Sequence, residues 1–211
     1  MTARGRFITL EGGEGAGKST QLRRLSEVLR GRGHAVVETR EPGGAPAAER
    51  IRTLLVEGGT ESWDGMTEAL LHFAARREHL LATVWPALDS GSWVICDRFV
   101  DSTVAYQGYG HGVDRGFLDT LQAAVLGDFR PDLTLILDLP VEEGLKRARS
   151  RGGSEDRYER MDVEFHRRLR AGFLEIARAE PQRCVVVDAA LPVDKVSQAI
   201  LAAVRDRLTD S

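Results

Sequence analysis

The sequence is poor in cysteine, with only Cys96 and Cys184 among its 211 residues. Each adjoins an apolar run, at residues 93–95 and 185–187, so we expect two reduced thiols in the core rather than a disulfide or a metal site. Long apolar runs are also absent. No stretch approaches the roughly 20 apolar residues of a membrane span, and the run at residues 7–10 is too short for a signal peptide. We therefore expect a soluble, cytoplasmic protein with no membrane partner.

An excess of charge of either sign is missing as well. The 29 Lys and Arg residues are matched by 32 Asp and Glu residues, which gives a net charge of −3. This balance argues against a protein that binds nucleic acid through a strongly basic surface. With 42% hydrophobic residues the chain can form a large core, and no linker, repeat or low-complexity tract divides it. We expect a single domain over residues 1–211.

Strand and helix patterns alternate along the sequence. Short, mostly apolar runs predict five strands, at residues 6–11, 35–39, 93–97, 133–139 and 183–188. Helical patterns lie between and after them, at residues 18–30, 47–57, 67–90, 114–126, 141–149, 161–179 and 193–208. Strands that are apolar along nearly their whole length are typical of a sheet covered on both faces. The alternation therefore predicts an α/β fold with a mostly parallel sheet.

Glycines crowd into one segment after the first predicted strand. It matches the pattern G-x-x-x-x-G-K-[ST] and opens a predicted helix, the context that this phosphate-binding loop requires. Glycines let the backbone curl so that successive N–H groups face phosphate oxygens, and the helix N-terminus adds a positive dipole end. In this pattern Lys18 reaches the β- and γ-phosphates of a nucleotide, and Ser19 offers a hydroxyl to Mg²⁺. The residues expected to hold the nucleotide are Gly12, Gly13, Glu14, Gly15, Ala16, Gly17, Lys18, Ser19 and Thr20.

A second metal ligand is expected at the end of the third predicted strand. Residues 93–96 are apolar and lead to Asp97, which places a carboxylate at the carboxyl edge of the sheet, where ligands bind in open α/β folds. In other P-loop proteins a strand-end aspartate of this kind holds Mg²⁺. Asp138 is the competing candidate, but the sequence continues into Leu139-Pro140 without a charged neighbour. We favour Asp97.

Arginines cluster after the fourth predicted strand. The GTPase motifs Asn-Lys-x-Asp and Asp-x-x-Gly are absent, which leaves an enzyme that transfers phosphate to a small acceptor or an ATPase that does mechanical work. Arginine compensates the charge of a transferring phosphoryl group without losing its proton. A glycine-containing segment at about residues 149–157 would carry arginines over ATP as a short mobile lid. The alternative is a solvated basic helix face, and the residues concerned are Arg147, Arg149, Arg151, Arg157 and Arg160.

Several further motifs follow the phosphate-binding loop. Besides residues 7–20, the motifs are Thr39-Arg40-Glu41-Pro42-Gly43-Gly44, Ala74-Ala75-Arg76-Arg77-Glu78-His79, Asp97-Arg98-Phe99, Ser102-Thr103-Val104-Ala105-Tyr106-Gln107-Gly108, and Leu145-Lys146-Arg147-Ala148-Arg149-Ser150-Arg151-Gly152 with Asp156-Arg157. Together, from about residue 7 to residue 187, these motifs resemble those of bacterial thymidylate kinases and follow one another in that family's order. The phosphate-binding loop alone is shared with many unrelated proteins, but this combination is specific.

The resemblance implies a three-layer P-loop kinase fold, in which a five-stranded parallel sheet is flanked by helices and a short mobile lid covers the site. It implies transfer of the γ-phosphoryl group of ATP to dTMP, giving dTDP for dTTP biosynthesis, with Mg²⁺ bound. It also implies a homodimer, for which the apolar helix near residues 67–88 is the candidate contact. The adenine pocket is expected near residues 189–192.

The resemblance also implies roles for individual residues. Arg98 would hold the acceptor phosphate beside the γ-phosphate, and Arg76 would bind the same phosphate or the edge of the base. Catalysis would rest on Lys18, Arg98, Glu14 and the lid residues Arg149 and Arg151, while Arg147 and Arg157 would contact ATP. The acceptor site would consist of Glu41, Pro42, His72, Phe73, Arg76, Arg98, Ser102, Thr103, Tyr106 and Gln107.

Within that set, Thr103 and Gln107 would meet the edge of thymine. Tyr106 would pack beneath the deoxyribose and disfavour a ribose 2′-hydroxyl, and Glu14 would approach the 3′-hydroxyl. Because the loop carries Glu14 and the lid carries the arginines, the sequence resembles the bacterial type with its catalytic arginine in the lid.

One position departs from the family pattern. The family usually has a phenylalanine four residues before Arg76, where the ring stacks on thymine, whereas this sequence has His72. Three interpretations follow: His72 stacks on the base, the helix presents Phe73 instead, or the preference for thymine is altered. An ordinary, partly buried histidine is the fourth.

Two rival functions remain at this stage. Another small-molecule kinase on the same fold would share the phosphate-binding loop and the lid but would take a different acceptor. A P-loop binding protein would retain ATP without phosphorylating a metabolite, and the ordered acceptor-side motifs argue against it.

Overall fold

The computed structural model describes residues 4–150 and 157–208 of the chain. Its centre is a sheet of five parallel strands in the order β2-β3-β1-β4-β5. The predicted α/β fold with a five-stranded parallel sheet is confirmed, and each strand begins and ends within about two residues of its expected bounds. The strands are β1 (Phe7–Glu11), β2 (Val36–Arg40), β3 (Trp93–Asp97), β4 (Leu133–Asp138) and β5 (Cys184–Asp188).

Helices cover both faces of the sheet. Three of the longer ones begin at an aspartate, Asp64, Asp114 or Asp162, whose side chain accepts hydrogen bonds from backbone N–H groups of the first turn. The described α-helices are α1 (Lys18–Gly31), α2 (Pro46–Val56), α3 (Gly65–His79), α4 (Trp85–Asp89), α5 (Val100–Thr103), α6 (Arg115–Leu126), α7 (Val141–Arg149), α8 (Val163–Ala179) and α9 (Val193–Leu208).

The helix expected over residues 67–90 is not one uniform α-helix. It consists of α3, a π-helical segment at Leu80–Val84, and α4. Pro86 explains the irregularity, because it has no N–H to donate to the carbonyl of residue 82 and its ring would clash with that carbonyl. A second π-helical segment, Val104–Gly110, follows α5 and carries several of the residues that were expected to bind the acceptor.

The hydrophobic core lies on both faces of the sheet, which explains why the strand sequences show no alternation. One side packs against α1 and α9 through residues such as Leu25 and Ile200. The other side packs against α3 and α6 through Phe73 and Leu118, and farther along the sheet against α8 through Phe173. All residues of β1 are buried, so the strand that leads into the phosphate-binding loop is held from both sides.

Two glycines of the phosphate-binding loop are required by close packing. Gly12 has φ +131°, and a Cβ atom there would lie 2.4 Å from the carbonyl oxygen of Leu137. Gly15 has φ +69°, and its Cβ atom would lie 2.1 Å from the carbonyl oxygen of Gly144. Other residues would both strain the backbone and clash, so these glycines seat the loop directly on the junction of β4 and α7.

Part of the expected lid is outside the described residues. Of the segment at about 149–157, Arg149 ends α7 and Arg157 precedes a short 3₁₀ turn (Tyr158–Arg160), while residues 151–156, including Arg151, are not among the described ones. Within residues 4–150 and 157–208, no helix combines the length and the apolar character needed to cross a membrane.

Candidate active site

A cavity of about 560 Å³ opens at the carboxyl edge of the sheet, where β1, β2 and β3 end. Parallel pairing brings these strand ends together, since Leu10 is in register with Asp97 and Asp97 with Arg40. Most of the expected site residues line this one cavity. They are Glu14, Gly15, Ala16, Gly17, Lys18, Ser19, Glu41, Pro42, His72, Arg76, Asp97, Arg98, Ser102, Thr103, Tyr106 and Gln107.

Lys18 lies at the start of α1 with its ammonium group folded against the loop. Nζ donates to the carbonyl oxygens of Gly12 (3.1 Å) and Gly13 (2.9 Å). Burial, with the neighbouring charge of Arg98, lowers the pKa of Lys18 from 10.5 to about 8. The side chain is therefore mostly cationic at neutral pH, and an anionic group bound in the loop would stabilise that charge.

Arg98 stands at the sharp turn after β3. Its φ is +68°, a left-handed conformation that is uncommon outside glycine and that is often found at functional sites. The guanidinium donates to the Gly12 carbonyl (3.0 Å), to Ser102 Oγ (3.2 Å) and to Glu14 Oε1 (2.9 Å). It also lies over the ring of Tyr106, 4.9 Å from the centroid. The strained turn thus aims a cation across the mouth of the phosphate-binding loop.

Glu14 is an acceptor-only carboxylate in the middle of these cations. Besides Arg98, the hydroxyl of Tyr106 donates to it. Burial would raise the pKa of Glu14, but the charges of Arg98 and Lys18 and the hydrogen bond from Tyr106 lower it to about 2. Glu14 is therefore ionised throughout the physiological range and can accept a hydrogen bond from a ligand hydroxyl.

Ser19 and Asp97 meet at the same edge. Ser19 Oγ donates to Asp97 Oδ2 over 2.7 Å, and such a pair of hard oxygen donors fits Mg²⁺. The competing Asp138 is not left without a charged partner: Arg170 donates to its two oxygens over 2.7 and 2.9 Å. Among the described residues there is no group of three or more His, Cys, Asp or Glu that would bind a metal unaided. A P-loop Mg²⁺ needs none, since nucleotide phosphates and water complete its shell.

A chain of buried polar groups supports Arg76 on α3. Glu41 accepts from Arg76 Nε (2.7 Å) and pairs with His79 Nδ1 (3.0 Å), while His79 Nε2 meets the Thr39 hydroxyl at 2.7 Å. Arg76 Nη2 donates to Thr103 Oγ1 and to a backbone carbonyl. Nη1, however, is buried without a hydrogen-bond partner among the described residues. A buried cationic donor without an acceptor is costly unless a ligand supplies one.

His72, not Phe73, lines the cavity. The Phe73 side chain is 2% exposed and belongs to the core beneath α3. His72 Nε2 lies 3.2 Å from the Tyr158 hydroxyl. Burial and the charges of Arg76 and other arginines lower the pKa of His72 to about 3, so the imidazole is neutral. A neutral aromatic ring is suited to contact with a base.

Gln107 lines the same cavity from the π-helical segment Val104–Gly110. Its Nε2 donates to the buried carboxylate of Glu68 over 2.9 Å, while its Oε1 has no hydrogen-bond partner among the described residues although it is buried. Like the Nη1 atom of Arg76, this oxygen is a polar group that a ligand would satisfy.

Several other expected residues within the described part of the chain do not line the cavity. Gly12 and Gly13 form the back of the loop, and Thr20 is exposed on α1. Arg147 donates to the Ala189 carbonyl (3.2 Å) and pairs with Glu143, which places it beside the expected adenine pocket.

Arg157 is placed differently from the expectation that it contacts ATP. It is fully buried, pairs with Glu68, and donates to the carbonyls of Leu55 (3.1 Å), Gly59 (2.7 Å) and Thr60 (3.2 Å). This guanidinium ties the chain after the lid to the α2–α3 connection instead of facing the phosphate-binding loop.

Some residues in or near the cavity were given no individual role from the sequence. Arg40, Arg52, Val56, Phe99, Tyr158 and Glu159 also line the cavity. Glu11, at the end of β1, is buried and accepts from the Phe99 N–H (2.8 Å) and from Ser102 Oγ (2.5 Å). Burial and the charge of Asp101 raise the pKa of Glu11 from 4.5 to about 8. The one signal for Glu11 was a charged residue at the end of an apolar strand, which by itself indicates no partner.

Comparison with known proteins gives the site a family. The thymidylate kinase family model matches residues 10–200. The chain belongs to the thymidylate kinase family. It is 55% identical to the thymidylate kinase of Caulobacter vibrioides over 204 residues, which cover 97% of this chain and 98% of that protein. The thymidylate kinase of Gluconobacter oxydans is 53% identical, over 99% of this chain and 98% of its own length.

A solved structure agrees with this family assignment. The crystal structure of thymidylate kinase from Ehrlichia chaffeensis superposes with a TM-score of 0.78 at 36% identity, and the match covers 94% of this chain and 98% of that one. The predicted family, its P-loop kinase fold and the prediction that the chain is an enzyme of this family are confirmed.

The buried carboxyl group of Glu11 gives a testable dependence of stability on pH. Because its pKa is higher in the folded chain than in the unfolded one, its contribution to stability is complete below about pH 4.5 and is lost as the pH rises towards 8. Glu11→Gln keeps the size of the side chain and removes the titration. In urea unfolding, the free energy of unfolding of this variant minus that of the wild type should rise from pH 5 to pH 8.

The matched control is Glu27→Gln, since Glu27 is exposed on α1. Its difference from the wild type should stay constant over the same pH range. A constant difference for Glu11→Gln as well would contradict the elevated pKa.

Proposed function

We propose that the chain phosphorylates dTMP to dTDP with ATP and Mg²⁺, as a step in dTTP biosynthesis. The observation that carries the proposal is the unpartnered, buried Nη1 of Arg76 in the cavity that also contains Lys18 and Arg98. A phosphate-binding loop needs one anionic ligand, whereas this cavity offers cationic donors for two. ATP and a monophosphate acceptor bound opposite it would supply these two anionic ligands.

On the acceptor side, Arg76 and Arg98 would hold the 5′-phosphate. The free Oε1 of Gln107 would accept from the base, with Thr103 beside it, and the neutral ring of His72 would lie against the base. Ionised Glu14 would accept from the 3′-hydroxyl, and the Tyr106 ring would bound the sugar. Ser102, Glu41 and Pro42 support this wall, since Ser102 and Glu41 hydrogen-bond to the two arginines and Pro42 lines the cavity.

On the donor side, the N–H groups of residues 13–19 and Lys18 would bind the phosphates of ATP. Arg147, which reaches the Ala189 carbonyl, would lie beside adenine. Arg149 and Arg151 would approach the phosphates from the lid. Arg157 does not join the donor side in this proposal, because its donors are engaged by Glu68 and by backbone carbonyls.

The chemistry would be direct in-line transfer between the two phosphates. The acceptor phosphate oxygen is an adequate nucleophile at neutral pH, so the residues chiefly align the groups and neutralise charge. The side chains of Arg98 and Lys18 both hydrogen-bond to the phosphate-binding loop. Both would compensate negative charge on the transferring phosphoryl group. Ser19 and Asp97 would hold Mg²⁺, which would supply positive charge that lowers the repulsion between the phosphate groups.

The decisive experiment is an acceptor panel. ADP release with ATP and Mg²⁺ is measured separately against dTMP, dUMP, dCMP, dGMP, UMP and thymidine. We expect strong turnover with dTMP, weaker turnover with dUMP and background rates with the others. A preference for thymidine or another monophosphate would favour a different kinase of this fold, and ATP binding without turnover of any acceptor would favour a binding protein.

Lys18→Ala serves as the catalytic control in the same assay. It removes the cation under the loop and should lower single-turnover chemistry by orders of magnitude while the thermal unfolding transition persists. Unchanged single-turnover rates would exclude the proposed role of Lys18.

Paired variants on α3 test which aromatic side chain meets the base. His72→Ala removes a contact to the base, so KM for dTMP should rise roughly 5- to 100-fold, the range expected for one base–aromatic contact, with little change in stability. Phe73→Ala empties a core position and should lower the free energy of unfolding by about 3–5 kcal/mol. The reverse pattern would show that Phe73 contacts the base.

We further propose that the chain forms a homodimer through α3. Met66, Leu70 and Leu81 are 50%, 48% and 47% exposed, and with the exposed Ala74 they follow one another at helical spacing on the outer face. This stripe lies within the apolar helix that the sequence marked as a contact.

Leu70→Glu would bury a charge in such a contact and should convert the dimer into a monomer in sedimentation velocity. Val186→Glu, at a hydrophobic residue of similar exposure on the edge strand β5, is the control and should leave the mass unchanged. A wild-type protein that sediments as a monomer at micromolar concentration would exclude the dimer.

A further inference from the structure

Glu68 is a charged residue in the first turns of α3 that the proposed chemistry does not use. Its carboxylate is fully buried. It accepts from Gln107 Nε2 (2.9 Å), from the Tyr158 hydroxyl (3.1 Å) and from the guanidinium of Arg157. A buried carboxylate that is paired in this way has a fixed position and offers only acceptors.

The Glu68 carboxylate determines the orientation of the Gln107 amide. An amide can face a neighbour with either its oxygen or its NH₂ group, and only the neighbour's chemistry decides between them. Because the Glu68 carboxylate, paired with the Arg157 guanidinium, offers only acceptors, Gln107 must turn its NH₂ group towards it. The carbonyl oxygen Oε1 is then left on the other side, where it has no partner among the described residues.

We propose that Glu68 is a specificity-determining positioning residue, which fixes the Gln107 amide so that the cavity presents an acceptor to the base. This inference rests on the proposed function, because it concerns the base of the acceptor nucleotide. The ligand class that satisfies Oε1 is a pyrimidine with a hydrogen on N3, as in thymine and uracil. Cytosine has a lone pair at N3 and would leave two acceptors facing each other.

Arg157 explains why the orientation is stable. It pairs with the Glu68 carboxylate, and its other donors are held by the carbonyls of Leu55, Gly59 and Thr60. Neither side chain is exposed to solvent. For Gln107 to reverse its amide, its oxygen would have to face this carboxylate, and two buried acceptors in contact are unfavourable.

The test is the ratio of kcat/KM for dTMP to kcat/KM for dCMP, with dCMP assayed at enzyme concentrations high enough to raise its slow turnover above background. In Glu68→Gln the side chain can donate as well as accept, so Gln107 is free to turn and offer NH₂ to cytosine N3. We expect the ratio to fall by about 10- to 100-fold, the range for one mismatched buried hydrogen bond, and the change to lie mainly in KM. Glu61→Gln, an exposed carboxylate in the preceding connection, should leave the ratio unchanged.

A double-mutant cycle shows whether Glu68 acts through Gln107. Gln107→Leu should lower the same ratio, and adding Glu68→Gln to it should produce no further decrease. Should Glu68→Gln lack a cooperative thermal transition because Arg157 is left unpaired, Glu68→Gln with Arg157→Gln removes both charges together, and the same fall in the ratio is expected.

Equal losses for dTMP and dCMP in the Glu68 variants, or effects that add fully to those of Gln107→Leu, would overturn the proposal and assign Glu68 to the fold alone. The wild-type arm separates this result from failure of the proposed function. A wild-type protein that does not phosphorylate dTMP contradicts the function, whereas active wild type with an unchanged ratio in the variants contradicts only the role of Glu68.

Discussion

The site depends on the guanidinium of Arg98, which connects the start of α5 to the phosphate-binding loop, 84 to 86 positions earlier in the sequence. It binds the Gly12 carbonyl after β1, the Glu14 carboxylate in the phosphate-binding loop and the Ser102 hydroxyl of α5. Placing this cation beside Lys18 without an acceptor would be costly, and ionised Glu14 is the group that compensates both charges. The left-handed turn at Arg98 is the strain that the fold accepts for this arrangement.

Buried acidic side chains also position groups on the acceptor side. Glu41 holds Arg76 and His79, Glu68 holds Arg157 and Gln107, and Glu11 holds the backbone of Phe99. In the first two cases the partner is left with one unsatisfied polar atom, Arg76 Nη1 and Gln107 Oε1. Among the described residues, four buried side-chain atoms have no hydrogen-bond partner, and these two are the ones that a nucleotide in the cavity can satisfy.

Local sequence was sufficient for some of these features and insufficient for others. The phosphate-binding loop, the five strands and Asp97 follow from short-range patterns, since each depends on neighbours within a few residues. The interruption at Leu80–Val84 was not expected, although Pro86 signals it. Whether His72 or Phe73 faces the cavity depends on which side of α3 packs against the sheet. Adjacent residues differ by a single residue's rotation of the helix, which the spacing of apolar residues in the sequence does not resolve. The family resemblance assigned ATP contact to Arg157, and no pattern in the sequence indicated its pairing with Glu68.

By itself the sequence determined the α/β architecture, the approximate bounds of the five strands and the position of the phosphate-binding loop. These features depend on local signals, namely the spacing of apolar residues and the glycines of the loop. Only the tertiary structure decided which charges meet. Glu68 and Arg157 are 89 positions apart, and Glu11 and Ser102 are 91 apart, so no pattern in the chain predicts their contact. Burial then sets their ionisation and the direction of each hydrogen bond, which is why the groups left open to a ligand become visible only once the chain is folded.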